Sequence, residues 1–125
     1  MLFRSRLGGA LVRVVGMHLD LSGLRRRQQV ETVCGHVDGH DEPGHAVFMG
    51  DLNEWSPSGG ALAAFAAPLK VLAPGRSFPS RRPVAQLDRI VVSEGLVVEE
   101  LGVHHSPLAA VGSDHLPVWA SLRLP

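Results

Sequence analysis

The run Ala10-Leu11-Val12-Arg13-Val14-Val15-Gly16-Met17-His18-Leu19 constrains the fold more than any other stretch. It is β-prone, and apolar at nearly every position rather than at every second one. A strand in a sheet with one wet face alternates, whereas a continuous apolar run belongs to a strand covered on both faces. The chain must therefore build layers on two sides of this strand. Gly8-Gly9 separates it from a second β-prone run, Leu2 to Leu7, and a two-residue glycine turn between two such runs predicts a hairpin.

The rest of the chain supplies those layers. Ser22 can cap a helix from about Leu24 to Val37, in which Val30, Val33, Cys34 and Val37 recur at i, i+3, i+4 and i+7 and form a buried stripe. Asp38 to Gly44 reads as a polar loop and Ala46 to Met49 as a short buried strand ending at Gly50. Ser56-Pro57-Ser58 opens a short helix through Phe65. Pro74 to Pro83 is a loop rich in proline and arginine. Strands are expected at Leu87 to Val92, Leu96 to Val103 and Val118 to Leu124. Strands outnumber helices, and no repeat or linker divides the 125 residues, so a single layered α/β domain is expected, with its functional groups in loops that follow strands.

Composition removes several function classes. The single cysteine, Cys34, excludes an internal disulfide and a thiolate metal cluster. Lys plus Arg and Asp plus Glu number 12 each, so no global field attracts duplex DNA or an anionic membrane. Local basic patches remain at Arg25-Arg26-Arg27 and at Arg76, Arg81 and Arg82. No stretch approaches the roughly 20 apolar residues of a membrane span. Arg4 and Arg6 precede an apolar stretch, but Arg13 interrupts it and no small-residue cleavage site follows. A cytoplasmic protein without a signal peptide is expected.

Five places can carry chemistry. Asp51-Leu52-Asn53 follows a strand directly, and in extended chain Asp51 and Asn53 face one way and Leu52 the other. A carboxylate beside an amide can orient a water and hold a phosphate oxygen, or simply form an Asx turn. Asp88 lies in the otherwise apolar run Leu87 to Val92 and needs a partner if buried; a solvated strand face is the alternative. Ser113-Asp114-His115 cannot form a Ser-His-Asp triad, because neighbours in extended chain diverge. Asp114 and His115 can instead serve as metal ligand and general base, or form a turn cluster. His18 near a strand end is either a satisfied core histidine or a donor to phosphate. His36, His40 and His45, with Asp38, Asp41 and Glu42, have a spacing that can bind zinc, but in a loop without helical register. Read as a carrier site, that cluster would bind zinc tightly.

Taken in order, Gly16-Met17-His18-Leu19, Phe48-Met49-Gly50-Asp51-Leu52-Asn53, Ser77-Phe78-Pro79-Ser80, Leu87-Asp88-Arg89-Ile90 and Ser113-Asp114-His115-Leu116-Pro117 resemble the endonuclease/exonuclease/phosphatase superfamily, from about Leu11 to the end. The resemblance implies a four-layer α/β sandwich, two packed and mainly antiparallel β-sheets flanked by helices. It implies Mg²⁺ or Mn²⁺ and hydrolysis of a phosphate ester by in-line attack of water. His115 resembles the general base, oriented by Asp88. Asp51 and Asn53 resemble the residues that position water and phosphoryl group and share the metal, Asp114 a metal carboxylate, and His18 the histidine that stabilises transition-state charge. Ser77 resembles part of a substrate-side loop. Arg25, in a phrase that resembles bacterial members, is a second expected substrate contact, although the arginine run by itself reads as a solvated helix face rather than a nucleic-acid contact.

Members of that superfamily carry an Asn and a metal-binding Glu upstream of the histidine strand, and neither motif is present here. Residues 1–125 are therefore expected to form a partial sandwich, a single N-terminally truncated domain with strands missing. A missing segment or a partner would complete it. Its activity would then be weak or absent, and the competing function is a non-catalytic module that binds phosphate or a partner. The substrate implied is a phosphate ester: nucleic acid, inositol phosphate or phospholipid head group.

Overall fold

A computed structural model of the chain describes residues 2–38, 44–56, 59–65 and 68–125. Strands β1 (Leu2–Leu7) and β2 (Ala10–His18) form the expected hairpin, closed at Gly8 and Gly9, both with positive φ. Helix α1 (Gly23–Asp38) then carries the chain across to β3 (His45–Asp51), which lies parallel to β2. A short 3₁₀ helix (Gly60–Ala64) and β4 (Lys70–Leu72) lead to β5 (Asp88–Val92). The sheet order is β1-β2-β3-β5-β4, and every pairing except β2 with β3 is antiparallel. Strands β6 (Val97–Val103) and β7 (Val118–Arg123) form a second, antiparallel sheet, with helix α2 (Pro107–Gly112) between them.

Side-chain alternation explains why the central strands read as continuous apolar runs. Val15 of β2, Ala46 and Phe48 of β3 and Val91 of β5 point to one face, where they join Val30 and Val37 of α1 and Leu62 and Phe65. Val12, Val47, Ile90 and Val92 point to the other face and meet Val98, Val118, Ala120 and Leu122 of the second sheet. The result is a mixed α/β sandwich: helices on one side of a five-stranded sheet, a second sheet on the other. Phe48, 1% exposed, packs edge-on against Phe65 with ring centroids 5.7 Å apart. Burial of such a side chain stabilises the fold by about 2–3 kcal/mol.

The helical stripe is confirmed: Val30 and Val37 are buried, and Val33 and Cys34 pack beside them. Two elements escaped sequence reasoning. Strand β4 has three residues, too few for alternation to register. Helix α2 has no buried residue, so no apolar period marks it. Its start was nonetheless legible: Ser106 accepts a hydrogen bond from the Ala109 N–H, and Pro107 follows at the first helical position. The expected helix from Ser56 is reduced to Gly60–Ala64, and Pro57 and Ser58 lie outside the described residues. Among the described residues no helix is long and apolar enough to cross a membrane.

Candidate active site

Strand register sets the site. His18 is the cross-strand partner of Asp51, and Asp51 is the partner of Asp88, so three polar residues stand in a row across β2, β3 and β5. Each shares parity with residues that point toward the second sheet, so the row lies at the rim of the space between the sheets. Gly50 makes the close pairing possible. A Cβ there would lie 1.7 Å from the Met17 carbonyl oxygen, and its φ of 146° suits glycine alone.

His115 arrives from the second sheet, in the loop before β7. Its Nδ1 lies 2.7 Å from Asp88 Oδ2 and its Nε2 lies 3.4 Å from Asp51 Oδ2. A carboxylate only accepts, so Nδ1 carries the proton toward Asp88, and neutral His115 turns a bare Nε2 toward Asp51. Burial disfavours the imidazolium. The hydrogen bond that His115 donates to Asp88 and the charges of Asp88, Asp51 and Asp114 outweigh it and raise His115 above the ordinary histidine range. The Phe78 ring lies against His115 with centroids 4.7 Å apart. His18 is 76% exposed and places Nε2 3.5 Å from Asp51 Oδ2.

Asn53 departs from the expected alternation. Leu52 is buried opposite Asp51, as expected. The chain then turns: Asn53 has φ 49°, its N–H donates to Asp51 Oδ1 at 2.9 Å, and its Nδ2 donates to the Leu19 carbonyl at 2.6 Å. The Asx turn and the polar site are thus the same structure, and the Asn53 amide ties the loop after β3 to the end of β2. An asparagine tolerates this left-handed backbone better than most residues.

The remaining expected residues scatter. Asp114 is exposed and stands outside the tight group of Asp51, Asp88 and His115; it acts on His115 through its charge. Ser77 is 0% exposed, so its hydroxyl does not meet a substrate; it donates to Asp88 Oδ2 at 2.5 Å. Arg25 is exposed on α1, 3.8 Å from Asp20, and shares with His18 and Gln28 the lining of a surface cavity of about 630 Å³. His40, Asp41 and Glu42 of the expected zinc loop lie outside the described residues, while His36 is exposed on α1 and His45 opens β3.

Sequence reasoning gave Glu54 no role and read Arg26 as part of a solvated face. Both are buried or nearly so. Glu54 Oε1 accepts the Ala61 N–H at 2.7 Å, and Oε2 lies 3.3 Å from the Ser56 N–H and 3.5 Å from Arg26 Nη2. Arg26 Nη1 donates to the Leu21 carbonyl at 2.7 Å. Burial raises the Glu54 pKa, but the two backbone donors and Arg26 prevail and hold it below the ordinary range. This clamp joins the loop carrying Asp20 to the loop after β3 that carries Asn53. Gly60 leaves room for it, since a Cβ there would sit 1.9 Å from Glu54 Oε1.

Asp51, Asp88 and His115 bring one ligand atom each within 4.8 Å of one another, a grouping that can hold a metal ion. A profile of the Endonuclease/Exonuclease/phosphatase family matches residues 19–115. The chain belongs to that family. Its fold is similar to the mannosyl-6-phosphatase of Bacteroides thetaiotaomicron (TM-score 0.76, 21% identity, 94% of this chain and 53% of that one). It is similar to humanized D. rerio TDP2 (TM-score 0.75, 13% identity, 98% and 59%). It is also similar to the human Nocturnin catalytic domain (TM-score 0.64, 14% identity, 99% and 51%). At these identities the likeness is one of fold, and the chain spans between half and three-fifths of each of these structures. No curated protein matches the chain.

Proposed function

We propose that the chain carries the general-base half of a metal-dependent phosphoester hydrolase centre. The observation that carries this reading is His115, held at Nδ1 by Asp88 and presenting Nε2 beside Asp51. A water bound beside the pair, within reach of both Nε2 and Asp51, would lose its proton to His115, and Asp88 would stabilise the imidazolium that forms. His18, on the other side of Asp51, would donate to a phosphate oxygen, and Asn53 would hold the loop that aims Asp51.

The donor set fits a share of a Mg²⁺ or Mn²⁺ site. Asp88 Oδ2 accepts from Ser77 and His115, and Asp51 Oδ1 from the Asn53 N–H, while Asp51 Oδ2 faces the Nε2 atoms of His115 and His18 at 3.4 and 3.5 Å, where an ion would join it. Mg²⁺ takes one or two carboxylates and completes its shell with water and phosphate oxygens. When bound, the ion would offset charge on the phosphate. Asp114 is a second, exposed carboxylate close to the row. Because the chain spans about half of its structural neighbours, we place further ligands on a segment or partner beyond it, and residues 1–125 in the C-terminal part of the domain. The substrate class is a phosphate ester: nucleic acid, inositol phosphate or phospholipid head group.

The chain's span of about half of its structural neighbours favours one competing reading, in which it binds phosphate without turnover. Hydrolysis of bis(p-nitrophenyl) phosphate and of p-nitrophenyl phosphate, with Mg²⁺, with Mn²⁺ and with EDTA, separates the two. Cation-dependent turnover abolished by EDTA supports the hydrolase. Phosphate binding by folded protein without turnover supports the binding module.

A further inference from the structure

We infer that Ser77-Phe78-Pro79-Ser80 is a cradle that positions the Asp88–His115 pair, with the Ser77 hydroxyl as its positioning group rather than a substrate contact. The inference rests on the hydrolase reading for its catalytic consequence and on geometry alone for its structural one. Ser77 is fully buried, so it touches nothing outside the protein. Its Oγ donates to Asp88 Oδ2 at 2.5 Å, the same oxygen that receives His115 Nδ1 at 2.7 Å. Two donors on one oxygen fix the carboxylate in rotation about its last torsion, which is otherwise broad and soft.

The backbone and the neighbouring side chains of the tetrapeptide act on the other member of the pair. The Ser77 carbonyl accepts the Leu116 N–H at 2.8 Å, one residue past His115. The Phe78 ring packs against the imidazole at a tilt of 39°. The Ser80 N–H donates to the Asp114 carbonyl at 2.7 Å, one residue before His115, and Ser80 Oγ lies 2.6 Å from the Ser113 carbonyl. The histidine is thus pinned on both sides in sequence and on one ring face, while its acceptor is pinned from below. The Ser77 and Phe78 N–H groups in turn lie 3.0 and 3.3 Å from the Ala85 carbonyl, three residues ahead of Asp88, which ties the cradle to the start of β5. This is how supporting hydrogen bonds hold a catalytic group in its productive tautomer and orientation.

The test uses the full chain with Ser77→Ala, Ser77→Cys and Ser77→Thr, and Asp88→Asn as reference, each checked for folding by circular dichroism. Histidine ring nitrogen shifts report the tautomer of His115 without requiring turnover. Wild type and Ser77→Thr are expected to show one Nδ1-protonated form. Ser77→Ala, and Ser77→Cys with its weaker donor, are expected to show a tautomer mixture approaching that of Asp88→Asn. Where hydrolysis is measured, kcat is expected to fall about 10-fold in the Ala and Cys variants and KM to change less than about 2-fold, because misplacement rather than lost binding is the cause. A wild-type ring spectrum in folded Ser77→Ala or Ser77→Cys, beside an altered one in Asp88→Asn, overturns the inference. Absence of turnover in every variant counts against the hydrolase reading alone, since the ring signals decide the role of Ser77 independently.

Discussion

Replacing Glu54 by Ala should destabilise the fold far more than its place beside a surface loop suggests. Three groups lose their acceptor at once. The Ala61 N–H, bonded at 2.7 Å, is left inside the fold, and its bond to a charged acceptor contributes about 1.5–3 kcal/mol. The Ser56 N–H at 3.3 Å and Arg26 Nη2 at 3.5 Å contribute less each. Arg26 keeps the Leu21 and Asp20 carbonyls at 2.7 and 3.4 Å, so its charge is not stranded. The sum is about 3–4 kcal/mol, at the low end of what removal of one partner from a buried ion pair costs. Arg26→Met should cost about 2 kcal/mol less, because Glu54 retains two backbone donors. Urea unfolding followed by circular dichroism at pH 7 measures both, and the Glu54→Ala loss corresponds to a drop in Tm of about 10 °C. The pH dependence has a definite sign. The Glu54 pKa is lowered on folding, so its stabilisation is complete above the ordinary glutamate pKa and disappears as pH falls through the folded-state value. Glu54→Ala should lack that part of the acid dependence. A Glu54→Ala loss under 1 kcal/mol, or a larger loss in Arg26→Met, would refute the assignment of Glu54 as the clamp's organising acceptor.

Phe48→Ala, which empties the contact with Phe65, should cost about 3–5 kcal/mol by chemical denaturation. Gly50→Ala should cost more than about 4 kcal/mol or prevent folding, because its Cβ meets the Met17 carbonyl and the strand pair beneath the site has to separate; soluble yield and melting temperature report it. The His115 pKa is raised on folding, so the stability it adds is complete below the ordinary histidine pKa and is lost as pH rises through the folded value. Asp88→Asn should flatten that dependence and move the acidic limb of any hydrolysis profile to lower pH, which a pH–rate series from 5 to 9 resolves.

Much of this was legible in the sequence, for physical reasons that also set the limit. The continuous apolar run in β2 reported burial on both faces, and the i, i+3, i+4, i+7 stripe of α1 reported which helix face is covered. Asp51 and Leu52 diverge because strand alternation is a local rule. Locality fails at Asn53, where a left-handed residue ends the alternation and sends the amide to Leu19. It fails again for Ser77, whose partner Asp88 lies 11 positions away, and for Glu54, whose partner Arg26 lies 28 away. No periodicity encodes those distances. They follow from which strands pair in which register, and only the assembled sheet places His18, Asp51 and Asp88 at one level with His115 across from them.

The most direct test is the rate of Mg²⁺-dependent bis(p-nitrophenyl) phosphate hydrolysis by the chain against that of His115→Ala, both shown to be folded. Loss of the general base should reduce the rate at least 100-fold. Turnover that survives the substitution unchanged would place the chemistry elsewhere and contradict the assignment of the Asp51–Asp88–His115 group as the catalytic centre.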